Sequence, residues 1–312
     1  MQKQEPAMNS STKGILMALA AATLWGVSGT CGQFLFQQRS MSVEWLMSVR
    51  MLGSGILLLA TALFKKDSNV WQIWLDKHSR KTLLFFGLFA SLTVQYTYFA
   101  AIKYSNAATA TILQFSAPVL IAIYLAIRHN HRLSRAEILS LLMALTGSFL
   151  LVTHGNIHTL AVSPLALLFG LASAVSVAIY TLLPVNLLKK YSSLSVIGWD
   201  LFIGGVAIAI FKAPWHADGT WDVYTYASTF FVILFGTLIP FYIYLQAVQL
   251  IGGQKASVLM SAEPLSATLI SVIWPGNTFH LIDWLGAVLI IATVFLLSNK
   301  KQTSKSQKTS LI

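Results

Sequence analysis

The chain is short of charge. Only 10% of its 312 residues are Asp, Glu, Lys or Arg, against about 25% in water-soluble domains. Acid is scarcer than base, ten residues against 21, for a net charge of +11. The hydrophobic share is 56% and the mean hydropathy +0.69. A soluble protein of this length has no interior large enough for that much apolar surface, so the soluble class is excluded. Cysteine occurs once, at Cys31. No disulfide can close within one chain, and neither CxxC nor a metal-type Cys/His spacing is present, so no metal site is expected. His154, His158, His216 and His280 are scattered near outer loops. Nothing resembles an ATP-binding loop, so no nucleotide cofactor is expected. The basic excess does not point to nucleic acid. The lysines and arginines sit beside apolar runs, where they meet anionic lipid headgroups.

What is present in abundance is the long apolar run. About 20 residues, rising 1.5 Å each, cross a hydrocarbon core. Ten segments meet the requirement: 14–36, 43–64, 82–102, 106–127, 136–153, 163–186, 194–212, 228–249, 253–274 and 281–298. Ala20 to Ala22 resembles a signal cleavage site, but the run continues to Phe36. It therefore reads as a retained helix. Cytoplasmic loops are rich in Lys and Arg. With the N-terminus inside, the inner segments hold 17 of these residues and the outer ones only Arg39, Lys103 and Lys212, while Arg50 lies within a span. Both termini are therefore expected in the cytoplasm. The expected fold class is an all-α integral membrane protein of ten helices.

The sequence repeats itself. Slid by 146 residues, YFAAIKYSNAATATILQFSAP (98–118) falls without a gap on YLQAVQLIGGQKASVLMSAEP (244–264). Tyr98 meets Tyr244, Leu113 meets Leu259 and Pro118 meets Pro264. The earlier spans match more weakly, with Arg50 falling on Asp200 at an offset of 150. Five spans per copy is an odd number, so the second copy enters the membrane from the opposite side. The expected organisation is a cytoplasmic tail (1–12), a first five-helix repeat (13–153), an inverted second repeat (163–299) and a basic cytoplasmic tail (300–312). Inverted repeats are common in secondary transporters, whose substrate site lies near the midplane between the copies.

These motifs resemble the EamA family of the drug/metabolite transporter superfamily. The resemblance rests on NAATATILQFSAPVL (106–120), GQKASVLMSAEPLSA (253–267), EWLMSVRMLGSGILLL (44–59) and the Leu-Trp-Gly at 24–26. It covers roughly residues 13–299. It implies carriage of small metabolites, often outward and often amino acids or their relatives. It also implies a central cavity lined by the first, third, fourth, sixth, eighth and ninth spans. The family's Gly-Glu pair after each proline is missing, with His131 and Asn277 in its place.

Polar groups inside spans are the candidate site. Glu263 lies about ten residues into its span, where a carboxylate costs at least about 2.5 kcal/mol to insert. It reads either as a proton-coupling or cation-binding group, or as a neutral acid bonded to a neighbouring helix. Pro118 and Pro264 are expected to bend their helices. Arg50 is a candidate for a substrate carboxylate or for tying helices together. Asp200 reads as a half-solvated helix end. Gln95 and Gln114 need partners in lipid and so face the bundle interior. With Trp25, Tyr98 and Tyr244 they suit a zwitterion or an amine, which cation–π contact with Trp25 would favour. Interhelical bonding alone is the plainer alternative. The expected function is secondary transport of a small polar metabolite, an amino acid or amine first and export before import, by alternating access. Partners are the substrate and the bilayer, with proton coupling and a homodimer as further candidates and no nucleic acid. The rivals are a membrane receptor or scaffold without transport and, further off, an integral-membrane enzyme, which would need clustered acids, histidines or nucleophiles.

Overall fold

A computed structural model describes residues 10–128, 135–154, 162–251, 259–260, 262–274 and 278–298. His131, His158, Asn277, the C-terminal tail and residues 1–9 of the expected N-terminal tail lie outside them, while residues 10–12 are helical. Among the described residues the regular structure is all helical, joined by turns and short loops, without a strand. In chain order the helices are α1 (Ser10–Gln38), α2 (Val43–Phe64), α3 (Asn69–Leu75), α4 (Lys77–Phe85), α5 (Leu92–Tyr104), α6 (Ala107–Gln114), α7 (Ala117–Arg128) and α8 (Arg135–Thr153). They continue with α9 (Pro164–Leu182), α10 (Val185–Lys190), α11 (Ser193–Phe211), α12 (Val223–Ile233), α13 (Ile239–Ile251), α14 (Ala262–Ile273) and α15 (Leu281–Ser298). Five helical stretches are long and apolar enough to cross a membrane: Ser10–Gln38, Val43–Phe64, Lys77–Tyr104, Ser193–Phe211 and Val223–Tyr244. Among the described residues the other expected spans fall on shorter apolar stretches: Ala107–Ile121, Ile138–Leu150, Pro164–Tyr180, Ala262–Ile273 and Leu281–Thr293. Outward faces carry Ile56, Phe89, Leu142, Leu168, Val175 and Leu269, the surface that lipid demands.

The caps follow the sequence. Ser42, Asn106, Ser163, Ser192 and Asp222 each accept a backbone N–H in the first turn of the helix they precede. Two long helices are interrupted by π turns, Phe86–Ser91 between α4 and α5 and Leu234–Leu238 between α12 and α13. Such turns widen the backbone by one residue and are frequent at functional sites.

α2 packs most extensively on α11, and α8 on α15. α1 lies against α13 and α14, while α9 lies against α5 and α6. Small residues let α2 and α11 close up, as membrane helices need. A Cβ at Gly55 would stand 2.6 Å from the Phe202 nitrogen, and one at Gly205 2.7 Å from the Leu52 nitrogen. Both ends of this pair are latched. At one end Asp67, just past α2, accepts from Ser192 Oγ, from Ser195 Oγ at 2.8 Å and from Asn69. At the other, Asp218, past α11, accepts from Ser42 Oγ and from Lys212. Ser42 falls on Ser192 at the offset that carries Arg50 onto Asp200. Arg39 pairs with Asp222 at 2.9 Å, and Trp45 Nε1 donates to Pro214 O at 2.9 Å, closing the loop over the start of α2.

Candidate functional site

The expected fourth span is not one bent helix. It breaks at Phe115 and Ser116 into α6 and α7. Pro118 is the second residue of α7, where its missing N–H has no helical partner to lose. Pro264 is likewise the third residue of α14, after a turn at Met260. The expected bends are thus helix starts. Glu263 is in the first turn of α14 rather than in the middle of a continuous helix. There the positive end of the helix dipole favours a negative charge.

α1 supplies the floor of this region. A Cβ on Gly26 would stand 2.1 Å from Ser266 Oγ and 2.8 Å from both the Glu263 carbonyl oxygen and the Ala267 nitrogen. Only glycine allows α1 to touch the first turn of α14. One turn on, a Cβ at Gly29 would stand 2.7 Å from the Tyr98 hydroxyl. That hydroxyl bonds Thr111 Oγ1 of α6 at 2.9 Å. It is also within electrostatic reach of both Glu263 and Arg50. The half-buried Glu263 carboxylate accepts no hydrogen bond from the described residues; its backbone N–H donates to Met260 O and its carbonyl accepts from Ser266 Oγ.

The remaining candidates divide. Trp25 meets Phe241 and Tyr244 of α13 edge-on, at ring centroid distances of 5.1 and 5.7 Å. Gln95 is buried one turn before Tyr98, on the same side of α5. Gln114, at the end of α6, donates to Ser173 Oγ of α9 at 2.7 Å and so serves a contact between helices. Arg50 sits deeper in the core, 5% exposed. Its Nε donates to Thr237 Oγ1 in the second π turn at 2.6 Å, and its guanidinium lies 4.8 Å from the Phe99 ring centre. No carboxylate pairs with it among the described residues, and its Nη1 is buried without a partner. Asp200, expected half-solvated, is fully buried, because a π turn packs across that part of α11.

Gln33 was not among the candidates, because it lies near the end of the first expected span. It is 2% exposed, and its Oε1 accepts from Ala107 N, the first residue of α6, at 3.0 Å and from Ser271 Oγ of α14 at 3.4 Å. An amide in an apolar helix needs partners, and that rule applied to Gln33 would have found it. The histidines are less scattered than the sequence suggests. His154 bonds Asp283 across α8 and α15, and the His280 ring lies 5.2 Å away. Among the described residues no group of three ligand side chains could hold a metal.

Long apolar helices packed through small residues, with broken helices and buried polar groups between them, have the character of an integral membrane protein. The sequence profile of the EamA-like transporter family matches residues 12–153 and again 164–299. The chain belongs to that family and is a multi-pass membrane transporter. It is similar to an uncharacterized inner membrane transporter of Salmonella typhimurium, 40% identical over 291 residues that cover 93% of this chain and 97% of the relative. A probable terminal-alkyne amino-acid exporter of Streptantibioticus cattleyicolor is 25% identical over 195 residues, 62% of this chain and 65% of its own. A solved crystal structure shares the fold with a TM-score of 0.62 at 18% identity, covering 92% of this chain and 96% of its own.

Proposed function

We propose that the chain is a secondary transporter that carries a small polar metabolite, an amino acid or amine, out of the cell across the plasma membrane. The observation that carries this reading is Glu263, an acid in the first turn of a half-helix, without a hydrogen bond from the described residues and within electrostatic reach of the Tyr98 hydroxyl. An ammonium group or a proton would complete it. Arg50, a buried cation without a carboxylate, supplies the attraction for the substrate's acid group. Trp25 and Tyr244 offer aromatic faces to an ammonium, and Gln95, one turn before Tyr98, offers an amide without a hydrogen bond among the described residues. The export direction draws on the relative named as an amino-acid exporter.

The mechanism is alternating access between two inverted repeats, with both termini in the cytoplasm. Three features support it: the pairwise packing of α2 on α11 and of α8 on α15, the matching neighbours of α1 and α9, and the two π turns. The test uses protein in liposomes. Amino acids and amines are screened for thermal stabilisation, and uptake of the best is measured with and without a pH gradient, wild type beside Glu263→Gln. Gradient-driven uptake in wild type, with only exchange left in the variant, makes Glu263 the coupling group. Equal responses would remove it from the mechanism.

A further inference from the structure

Asp200 is a second acid in the membrane region, and nothing described so far uses it. It sits in the middle of α11, 0% exposed. Both carboxyl oxygens are buried without a hydrogen-bond partner among the described residues. Ser91, the last residue of the first π turn, is the polar group beside it, and the Ser91 hydroxyl is also buried without a bond. The backbones here are very close. A Cβ on Gly87 would stand 3.0 Å from the Asp200 carbonyl oxygen, and one on Gly204 3.0 Å from the Gly87 carbonyl oxygen.

Among the described residues no cation compensates the acid. From α9 the Tyr180 hydroxyl is within electrostatic reach. On α2, Arg50 is engaged with Thr237 and Phe99, and Glu44 bonds Tyr96. Lys77, His78, Arg80 and Lys81 belong to the first turns of α4, and Lys103 to the last turn of α5. On α10, Lys190 pairs with Asp76 at 2.7 Å and Lys189 is exposed. α3 carries no charge. A carboxylate with no cation and only a single hydroxyl beside it, short of a formed hydrogen bond, is a costly group to bury. A site of this kind persists where it has a ligand of its own. The smallest ligand that satisfies an enclosed carboxyl beside a hydroxyl is a proton.

We propose that Asp200, with Ser91 of the π turn, is a proton-binding site of this transporter, distinct from Glu263. The proton comes from water when the π turn parts from α11. It forms the carboxyl O–H, which donates to Ser91 Oγ once the site closes. It returns to water at the next opening. The π turn is the element able to part, because its hydrogen bonds are already out of α-helical register. The proposal extends the transporter reading, but its test needs no substrate.

The experiment is infrared difference spectroscopy across pH on the full chain in phosphatidylethanolamine and phosphatidylglycerol vesicles, in the Glu263→Gln background. The expected result is a pH-dependent carbonyl band of a neutral carboxylic acid that Asp200→Asn abolishes. Ser91→Ala, which keeps the acid and removes its hydroxyl neighbour, shifts the band, so the assignment survives even if Asp200→Asn folds poorly. A spectrum with no such band, or a band that neither variant changes, overturns the proposal. Either failure leaves the uptake experiment with Glu263 untouched, and a failure of uptake leaves the band to be judged by itself.

Discussion

Replacing Asp67 by alanine removes the latch at one end of the α2–α11 pair. The carboxylate takes four donors: Ser192 Oγ, Ser195 Oγ at 2.8 Å, the Asn69 backbone N–H at 3.0 Å and Asn69 Nδ2 at 2.8 Å. The two from Asn69 are local, and water replaces them. The two hydroxyls come from the start of α11 and tie it to the end of α2. At the low end of the range for bonds to a charged group, and discounted because Asp67 is only half-buried, they contribute about 2–3 kcal/mol together. That is roughly a 30- to 150-fold change in the folded-to-unfolded ratio, at about 1.4 kcal/mol per tenfold. The assay is unfolding by denaturing detergent in mixed micelles, followed by tryptophan fluorescence. Trp199, whose Nε1 donates to Val70 O at 2.7 Å, lies against Trp71 and Trp74 and reports this end of the molecule. The effect has a sign in pH. Partial burial pushes the Asp67 carboxyl up, but the bonds from Ser192, Asn69 and Ser195 outweigh it and hold it below the ordinary carboxylate value. Its contribution is therefore complete above that ordinary value and lost as pH falls through the lower folded one. The gap between wild type and Asp67→Ala should be flat at neutral pH and close only in acid. A gap under about 0.5 kcal/mol, or one that ignores acid, would refute the reasoning.

Two further substitutions probe the site. Gly26→Ala sets a methyl group against Ser266 and the backbone of α14, and overpacking of that kind costs about 1–3 kcal/mol; an unchanged melting temperature in detergent would show that α1 and α14 do not touch. Arg50→Met removes a buried charge that lacks a carboxylate and should fold as well as wild type or better, while losing stabilisation by acids and keeping it by amines. Retained stabilisation by acids would take Arg50 out of the binding site.

The elements that were legible in the sequence share one property: they are local. A stretch that must cross hydrocarbon has to be apolar along its own length, so Val43–Phe64 and Ser193–Phe211 lie within a residue of the expected 43–64 and 194–212. Glu263 announced itself because an acid among apolar neighbours is visible without a partner. What escaped depends on pairing across the fold. The chemistry of Pro118 and Pro264 is the same at a kink and at a helix start, so only the backbone between α6 and α7 distinguishes them. A π turn differs from an α turn by one slipped hydrogen bond, which leaves the hydrophobic period of Phe86–Ser91 nearly unchanged. Asp67 and Ser192 are 125 residues apart, and two common polar residues at that separation carry no local signal. Asp200 combines all three difficulties. Seven residues into its helix it looked close enough to the surface to be wet. Its burial comes from Gly87 of another helix, drawn in by a turn that the sequence does not mark. In a membrane protein the apolar pattern thus fixes which segments enter the bilayer, while the polar residues that pattern leaves unexplained acquire meaning only from the helices packed against them.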